Sequence, residues 1–166
     1  DDFILALYLG RYAGFRIHEC FRMDTAAAEQ ALRENALTVK GKGGKVRTVP
    51  IEDERILMML KRVLAQTERG HKLLVPDGMP TDRAINALEL FIYRYRNGIS
   101  DEGSDRRLTF HGLRHTYAAE KYTRLTEDGM SAIDAHYAVS RLLGHERADV
   151  TNIYLASVRK RGRDGE

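Results

Sequence analysis

His111 and Arg114 stand three residues apart in the stretch Leu108–Tyr117, Leu-Thr-Phe-His-Gly-Leu-Arg-His-Thr-Tyr. At that spacing the two side chains share one face of a helix. Thr109 is a good N-cap, able to take a free amide of the first turn on its hydroxyl. Leu108 and Leu113 sit where a hydrophobic staple would fix the chain's entry. His111 then falls in the first turn, where the backbone dipole and unpaired amides attract anions. A proton donor/acceptor and a permanent cation pointing off a helix start suit the holding of a phosphate. The plainer reading is a capped surface helix with ordinary polar residues, and this stretch alone does not separate the two.

Other chemistries fit less well. His111 and His115 are four apart, as in the zinc motif His-Glu-x-x-His, but Gly112 stands where that motif needs its glutamate. No third ligand is suggested nearby, so no metal is expected. No serine or cysteine lies in a recognisable nucleophile turn. Gly41-Lys42-Gly43-Gly44 lacks the Gly-x4-Gly-Lys-Ser/Thr spacing of a nucleotide loop, and a strand rather than a helix follows it. What remains is a set of cations and proton carriers suited to phosphate chemistry: Arg16, Lys42, His111, Arg114 and His145, with Tyr154 just behind.

These residues need a scaffold, and the hydrophobic pattern supplies one. Phe3, Ile4, Leu7 and Tyr8 fit a helix over 3–13, ended by Gly14. A short helix starts near Arg16, where Arg16 and Glu19 are placed to pair. Asp24 or Thr25 caps an alanine-rich helix to about Glu34. Leu37–Lys40 and Val46–Val49 read as a hairpin with a glycine-rich tip carrying lysines. Ile56, Met59, Leu60, Val63 and Leu64 mark an amphipathic helix, with Met58 and Met59 as core filling. Thr81 caps the next helix, whose inner face is Ile85, Leu88, Phe91, Ile92 and Tyr95. A polar loop over 97–107 leads to the Thr109 helix, which buries Leu113, Tyr117 and Leu125. Ile133–Leu143 is apolar around much of its circumference and is expected to be the central buried helix, stopped by Gly144. His136 on it reads as a core or surface histidine. Asp149 can cap a last short helix holding Ile153 and Tyr154. The fold class expected is mostly α with a small antiparallel β-hairpin sheet.

The chain has 166 residues, enough for one domain with a proper core. Its 43% apolar and 31% charged content is that of a globular protein. No apolar run is long enough to span a membrane, and no signal peptide pattern appears. Cys20 is the only cysteine, which rules out an internal disulfide and favours a cytoplasmic location. A net charge of +3 says little, but its distribution says more. Lys40, Lys42, Lys45 and Arg47 crowd one stretch, and Arg159, Lys160, Arg161 and Arg163 another. Local basic patches on a near-neutral body suit an anionic polymer; solvated lysine-rich turns are the plainer alternative.

The order Gly-Phe-Arg-Ile-His-Glu, Gly-Lys-Gly-Gly-Lys, His-Gly-Leu-Arg-His-Thr, Leu-Leu-Gly-His and then Tyr resembles the tyrosine recombinase, or phage integrase, family. The resemblance covers nearly the whole chain, 1–166, as that family's C-terminal catalytic domain. The abrupt helical start fits a piece cut at a domain boundary, without the family's N-terminal core-binding domain.

The resemblance implies roles. Arg16 and Arg114 would clamp the scissile phosphate, since guanidinium forks match phosphate oxygens and stay charged. Lys42 would protonate the leaving 5′ oxygen. Lys40 and Lys45 are its rivals for that role, but read better, with Arg47, as contacts to the DNA backbone. His111 would help move the proton, its pKa lowered by the helix N-terminus. His145 would donate to a phosphate oxygen, and Tyr154 would be the nucleophile. Glu19 would orient Arg16 or Lys42. Gly112 stands where many relatives have Asp, and His18 where many have a small polar residue. The other tyrosines, Tyr8, Tyr12, Tyr93, Tyr95, Tyr117, Tyr122 and Tyr137, read as structural.

The function implied is site-specific DNA recombination through a 3′-phosphotyrosyl intermediate, with neither metal nor ATP as cofactor. The partners implied are double-stranded DNA attachment sites and, in the full-length protein, three further copies in a homotetramer. A type IB topoisomerase and a catalytically silent DNA-binding module of the same fold are the rivals.

Overall fold

The computed structural model describes residues 2–41, 44, 46–98 and 107–144. Its elements are α1 (Asp2–Ala13), α2 (Ile17–Cys20), α3 (Thr25–Glu34), β1 (Ala36–Lys40), β2 (Val46–Pro50), α4 (Glu54–Leu64), α5 (Thr81–Tyr95), α6 (Phe110–Glu127) and α7 (Ala132–Leu143), with a 3-10 turn at Arg96–Gly98 after α5. The mostly helical class with one two-stranded antiparallel sheet matches the pattern read from the sequence. None of the described helices is long and apolar enough to cross a membrane.

The helix at the centre is α1, not α7. Leu5, Ala6, Leu9 and Ala13 on α1 are fully buried, between α6 on one side and α4 on the other. Gly10 admits the Phe110 ring so closely that a Cβ there would stand 2.9 Å from it. The helix α7 buries Ala135, Val139, Ser140 and Leu143, but Ile133 is 69% and Tyr137 55% exposed. Its apolar circumference therefore misled: one stripe meets α6 and β2, and the opposite apolar residues face outward among the described residues.

Other expectations shift by a residue or a face. Asp24 is the N-cap of α3, taking the Ala27 amide at 2.8 Å. Asp53 caps α4 in the same way through the Arg55 amide at 3.0 Å. Thr81 does not cap α5: Pro80 holds that position, and the Thr81 hydroxyl accepts from Lys72 instead. Met59 is core, but Met58 is 63% exposed. Tyr117 is buried, while Tyr93, Tyr95 and Tyr137 are exposed.

The hairpin pairs Leu37 with Val49 and Val39 with Arg47. Leu37, Val39 and Val49 are buried, and Thr38, Lys40, Val46 and Thr48 are exposed. Side chains alternate across a strand. Arg47 therefore lies on the inward face, two residues from Val49, and this register decides its role.

Candidate catalytic centre

Thr109 caps α6 as expected, accepting the Gly112 amide on its hydroxyl at 2.9 Å. Leu108 and Leu113 both pack at the edge of the main core. The cap aims the first turn of α6 at a cleft of about 410 Å³. Arg16, His111 and Arg114 line that cleft together, with His18 beside them and Tyr93 and Arg96 on the α5 side. Residues distant in sequence are thus brought to one surface by α1, α2 and α6.

Arg114 is fully buried. It donates through Nη1 to the Gly14 carbonyl and through Nη2 to the Leu143 carbonyl at 2.6 Å. Those carbonyls belong to the two ends that follow α1 and close α7. Gly14 reaches its place with φ +65°, a backbone that L side chains avoid, and a Cβ there would collide with the Tyr117 ring. Arg114 thus forms the cleft floor rather than an exposed fork. Its charge reaches the cleft without its surface doing so.

Arg16 is the N-cap residue of α2, its backbone extended at φ −78° and ψ 150°. Its amide donates to Glu19 Oε2 at 2.7 Å and its Nη1 to Glu19 Oε1 at 3.1 Å. The pair is not the exposed surface pair that spacing alone suggests, because Glu19 is buried. Arg47 explains how a carboxylate tolerates that burial. Its Nη1 donates to Oε1 at 2.8 Å and its Nη2 to Oε2 at 2.7 Å, a bidentate fork. Burial alone pushes the Glu19 carboxyl upward; the bonds from Arg47 and the Arg16 amide, with both positive charges, outweigh it and hold it at about 2.

The histidines of the cleft are held towards the neutral form. Burial lowers the pKa of His111, and the charges of Arg114 and then Arg16 lower it further. The direction is the one expected from sequence, but the causes are desolvation and two arginines. The His111 and His115 rings meet edge to face, 4.7 Å between centroids. Burial likewise lowers His18; Glu19 opposes, and Arg22, Arg16 and Arg114 add to the lowering.

The structure thus brings Arg16, Glu19, His111 and Arg114 together. Lys40 lies on the exposed face of β1. Arg47 does not: with its side chain 8% exposed, it turns inward to Glu19 rather than outward with the tip lysines. Lys42, Lys45, His145 and Tyr154 lie outside the described residues. Sequence reasoning missed Tyr93 and Arg96, whose guanidinium sits 4.2 Å above the Tyr93 ring. It noted His18 only as a departure from the family. Among the described residues, one cluster of metal-ligating types, Glu68, His71 and Asp77, is exposed and belongs to none of this.

The sequence profile of the phage integrase family matches residues 4–161. The chain is 29% identical over 130 residues to tyrosine recombinase XerD of Pseudomonas putida, covering 74% of this chain and 39% of that protein. The crystal structure of XerA recombinase superposes with a TM-score of 0.68 at 20% identity, over 99% of this chain and 58% of that one. The Tn1549 transposon integrase, solved in complex with circular intermediate DNA, superposes with a TM-score of 0.57 at 20% identity, over 92% of this chain and 52% of that one. The chain spans well under two thirds of the length of each. With the family profile covering almost all of it and its fold shared with these recombinases, the chain belongs to the phage integrase family of tyrosine recombinases.

Proposed function

We propose that this chain is the catalytic domain of a site-specific DNA recombinase that cleaves and rejoins DNA through a phosphotyrosyl intermediate. The observation that carries the reading is the convergence of Arg16, His111 and Arg114 on one cleft. A phosphodiester entering it would meet Arg16 at the wall and the charge of Arg114 beneath the floor. Both would stabilise the extra negative charge that gathers on a pentavalent phosphorus.

Tyr154 supplies the nucleophile. Its Oη forms a bond to phosphorus as the bond to the 5′ oxygen breaks. The phenolic proton passes to neutral His111, and Lys42 returns a proton to the leaving 5′ oxygen. An unperturbed tyrosine has a pKa near 10, so the step needs both a proton acceptor and nearby cations. His145 donates to a phosphate oxygen. One phosphate ester replaces another, the bond energy is kept, and rejoining is the reverse attack by a 5′ hydroxyl. The step as written balances without metal or ATP.

The substrate is duplex DNA carrying attachment sites, gripped at the backbone by Lys40 and Lys45. Exchange between two duplexes needs four nucleophiles, hence a homotetramer on DNA. A complex between the related transposon integrase and DNA supports that class of partner.

The test is a nicked suicide duplex bearing repeats from the DNA flanking the gene. The expected result is a covalent protein–DNA adduct, joined at a 3′ phosphate, that maps to Tyr154 and vanishes in Tyr154→Phe. DNA binding with no adduct would leave only a silent binding module. Relaxation of supercoils without exchange between two duplexes would favour a topoisomerase.

A further inference from the structure

Arg47 sits behind the cleft rather than in it, and its contacts define what it can do there. Its two terminal nitrogens occupy the same Glu19 oxygens that hold Arg16, so four bonds converge on one carboxylate. Its guanidinium lies 5.6 Å from the Phe15 ring centroid. Its Cδ and Nη1 lie 3.1 and 3.2 Å from where a Cβ on Gly144 would stand. The left-handed cap that ends α7, φ +66°, therefore rests on the Arg47 side chain. One residue of β2 thus touches the start of α2 and the end of α7.

The charge balance gives these contacts a purpose. A carboxylate bonded directly to Arg16 would cancel the charge that makes Arg16 useful to a phosphate, and would itself repel the anion. With Arg47 present, two cations and one anion leave one net positive charge. The Arg16 side chain is 31% exposed, whereas Glu19 and Arg47 are buried. The surplus charge thus has its only exposed outlet at Arg16.

We propose that Arg47 is a positioning residue of this centre: it neutralises Glu19 from behind, so that Glu19 fixes Arg16 without cancelling its charge towards a phosphate in the cleft. This rests on reading the cleft as the phosphate site. It replaces the role of DNA-backbone contact that the basic hairpin suggests for Arg47.

The test titrates the chain with inorganic phosphate and follows the His111 ring signals by NMR, each variant kept below its melting temperature. Arg47→Gln is expected to weaken phosphate binding about tenfold or more, because the triad loses its net positive charge. Arg47→Lys keeps the charge and is expected to stay within about threefold of wild type even though losing the fork lowers its melting temperature. The double variant Glu19→Gln/Arg47→Gln restores the net charge and is expected to bind more tightly than Arg47→Gln, while falling short of wild type because Arg16 loses the carboxylate that fixes it. Folded Arg47→Gln with wild-type affinity would overturn the proposal, as would Arg47→Lys that binds as weakly as Arg47→Gln. If Arg47→Gln does not fold, the comparison of Glu19→Gln with Glu19→Gln/Arg47→Gln decides: weaker phosphate binding in the double variant supports the proposal and equal affinity sinks it. Phosphate that leaves the wild-type His111 signals unmoved would sink it too. A wild-type chain that binds phosphate with these variant effects yet forms no adduct with DNA removes the recombinase reading and keeps this inference. Adduct formation with unchanged Arg47→Gln affinity does the reverse.

Discussion

Arg114 on α6 donates to the carbonyl of Leu143 on α7 at 2.6 Å, and its other terminal nitrogen meets the carbonyl of Gly14. One side chain thus ties the ends of two helices to the floor of the cleft. A fully buried cation is costly unless its N–H groups are satisfied. Here the bonds that satisfy it also hold the end of α7 at Leu143, two residues before His145 in the sequence. The charge beneath the cleft and the packing that joins α1, α6 and α7 reside in the same side chain.

Arg114→Ala should therefore fail twice. It strands two buried carbonyls and opens a cavity, a loss of about 2–4 kcal/mol in a urea melt. It should also slow DNA cleavage by about 100-fold or more, as loss of a charge that stabilises the transition state does. A variant that melts like wild type would contradict the packing role, and a near-normal cleavage rate would contradict the catalytic one.

Gly14→Ala should be destabilised by about 2 kcal/mol or more, since it combines a left-handed backbone with a collision against Tyr117. The Gly14 carbonyl would move away from Arg114, so cleavage should fall even in protein that remains folded. Thermal melts read beside adduct yield check both, and wild-type behaviour in either would refute the corresponding half.

Acid should weaken the fold through Glu19. Its carboxyl titrates at about 2 when folded and near its ordinary value of 4.5 when unfolded. The unfolded chain thus binds the proton more readily, and stability is lost as pH falls. The loss begins below about 4.5 and is complete near 2. It is on the order of 3 kcal/mol, because each pKa unit is worth about 1.4 kcal/mol. Urea melts across that range should show a Glu19→Gln variant with a flatter acid limb. Parallel limbs would mean the carboxylate is not held as described.

His111 provides an independent check on the charges around it. Its pKa is lowered by burial and by Arg114 and Arg16, so it is expected below its ordinary 6.5. Arg16→Gln removes one of those charges, and an NMR titration of the ring should move upward. A shift downward, or none, would place Arg16 away from the ring. The folded chain holds the His111 proton less tightly than the unfolded one. This residue therefore also lends stability that fades as pH falls below 6.5.

Much of this fold is legible in the residues alone. Thr109 as a cap, Gly14 and Gly144 as stops, and the hairpin between Lys40 and Val46 are local signals, and each was found where the chain's own chemistry puts it. The Arg16–Glu19 spacing gives the pair but not its burial, because burial depends on a strand that arrives later in the chain. Arg47 departs from its expected place for a related reason. Its neighbours in sequence are exposed lysines, whereas its neighbours in space follow the alternation it shares with Val49. That period of two was available, but charge composition outweighed it. The helix α7 failed differently: its apolar residues lie on two faces, and periodicity does not say which of them the rest of the chain covers.

The measurement that reaches the centre of this account is a structure of the chain with a duplex carrying its attachment site. The scissile phosphate should lie in the cleft between α2 and α6, within hydrogen-bonding reach of Arg16 and His111, with Arg47 still closed on Glu19 behind them. A phosphate bound on another face, with Arg16 and His111 turned from the DNA, would contradict it.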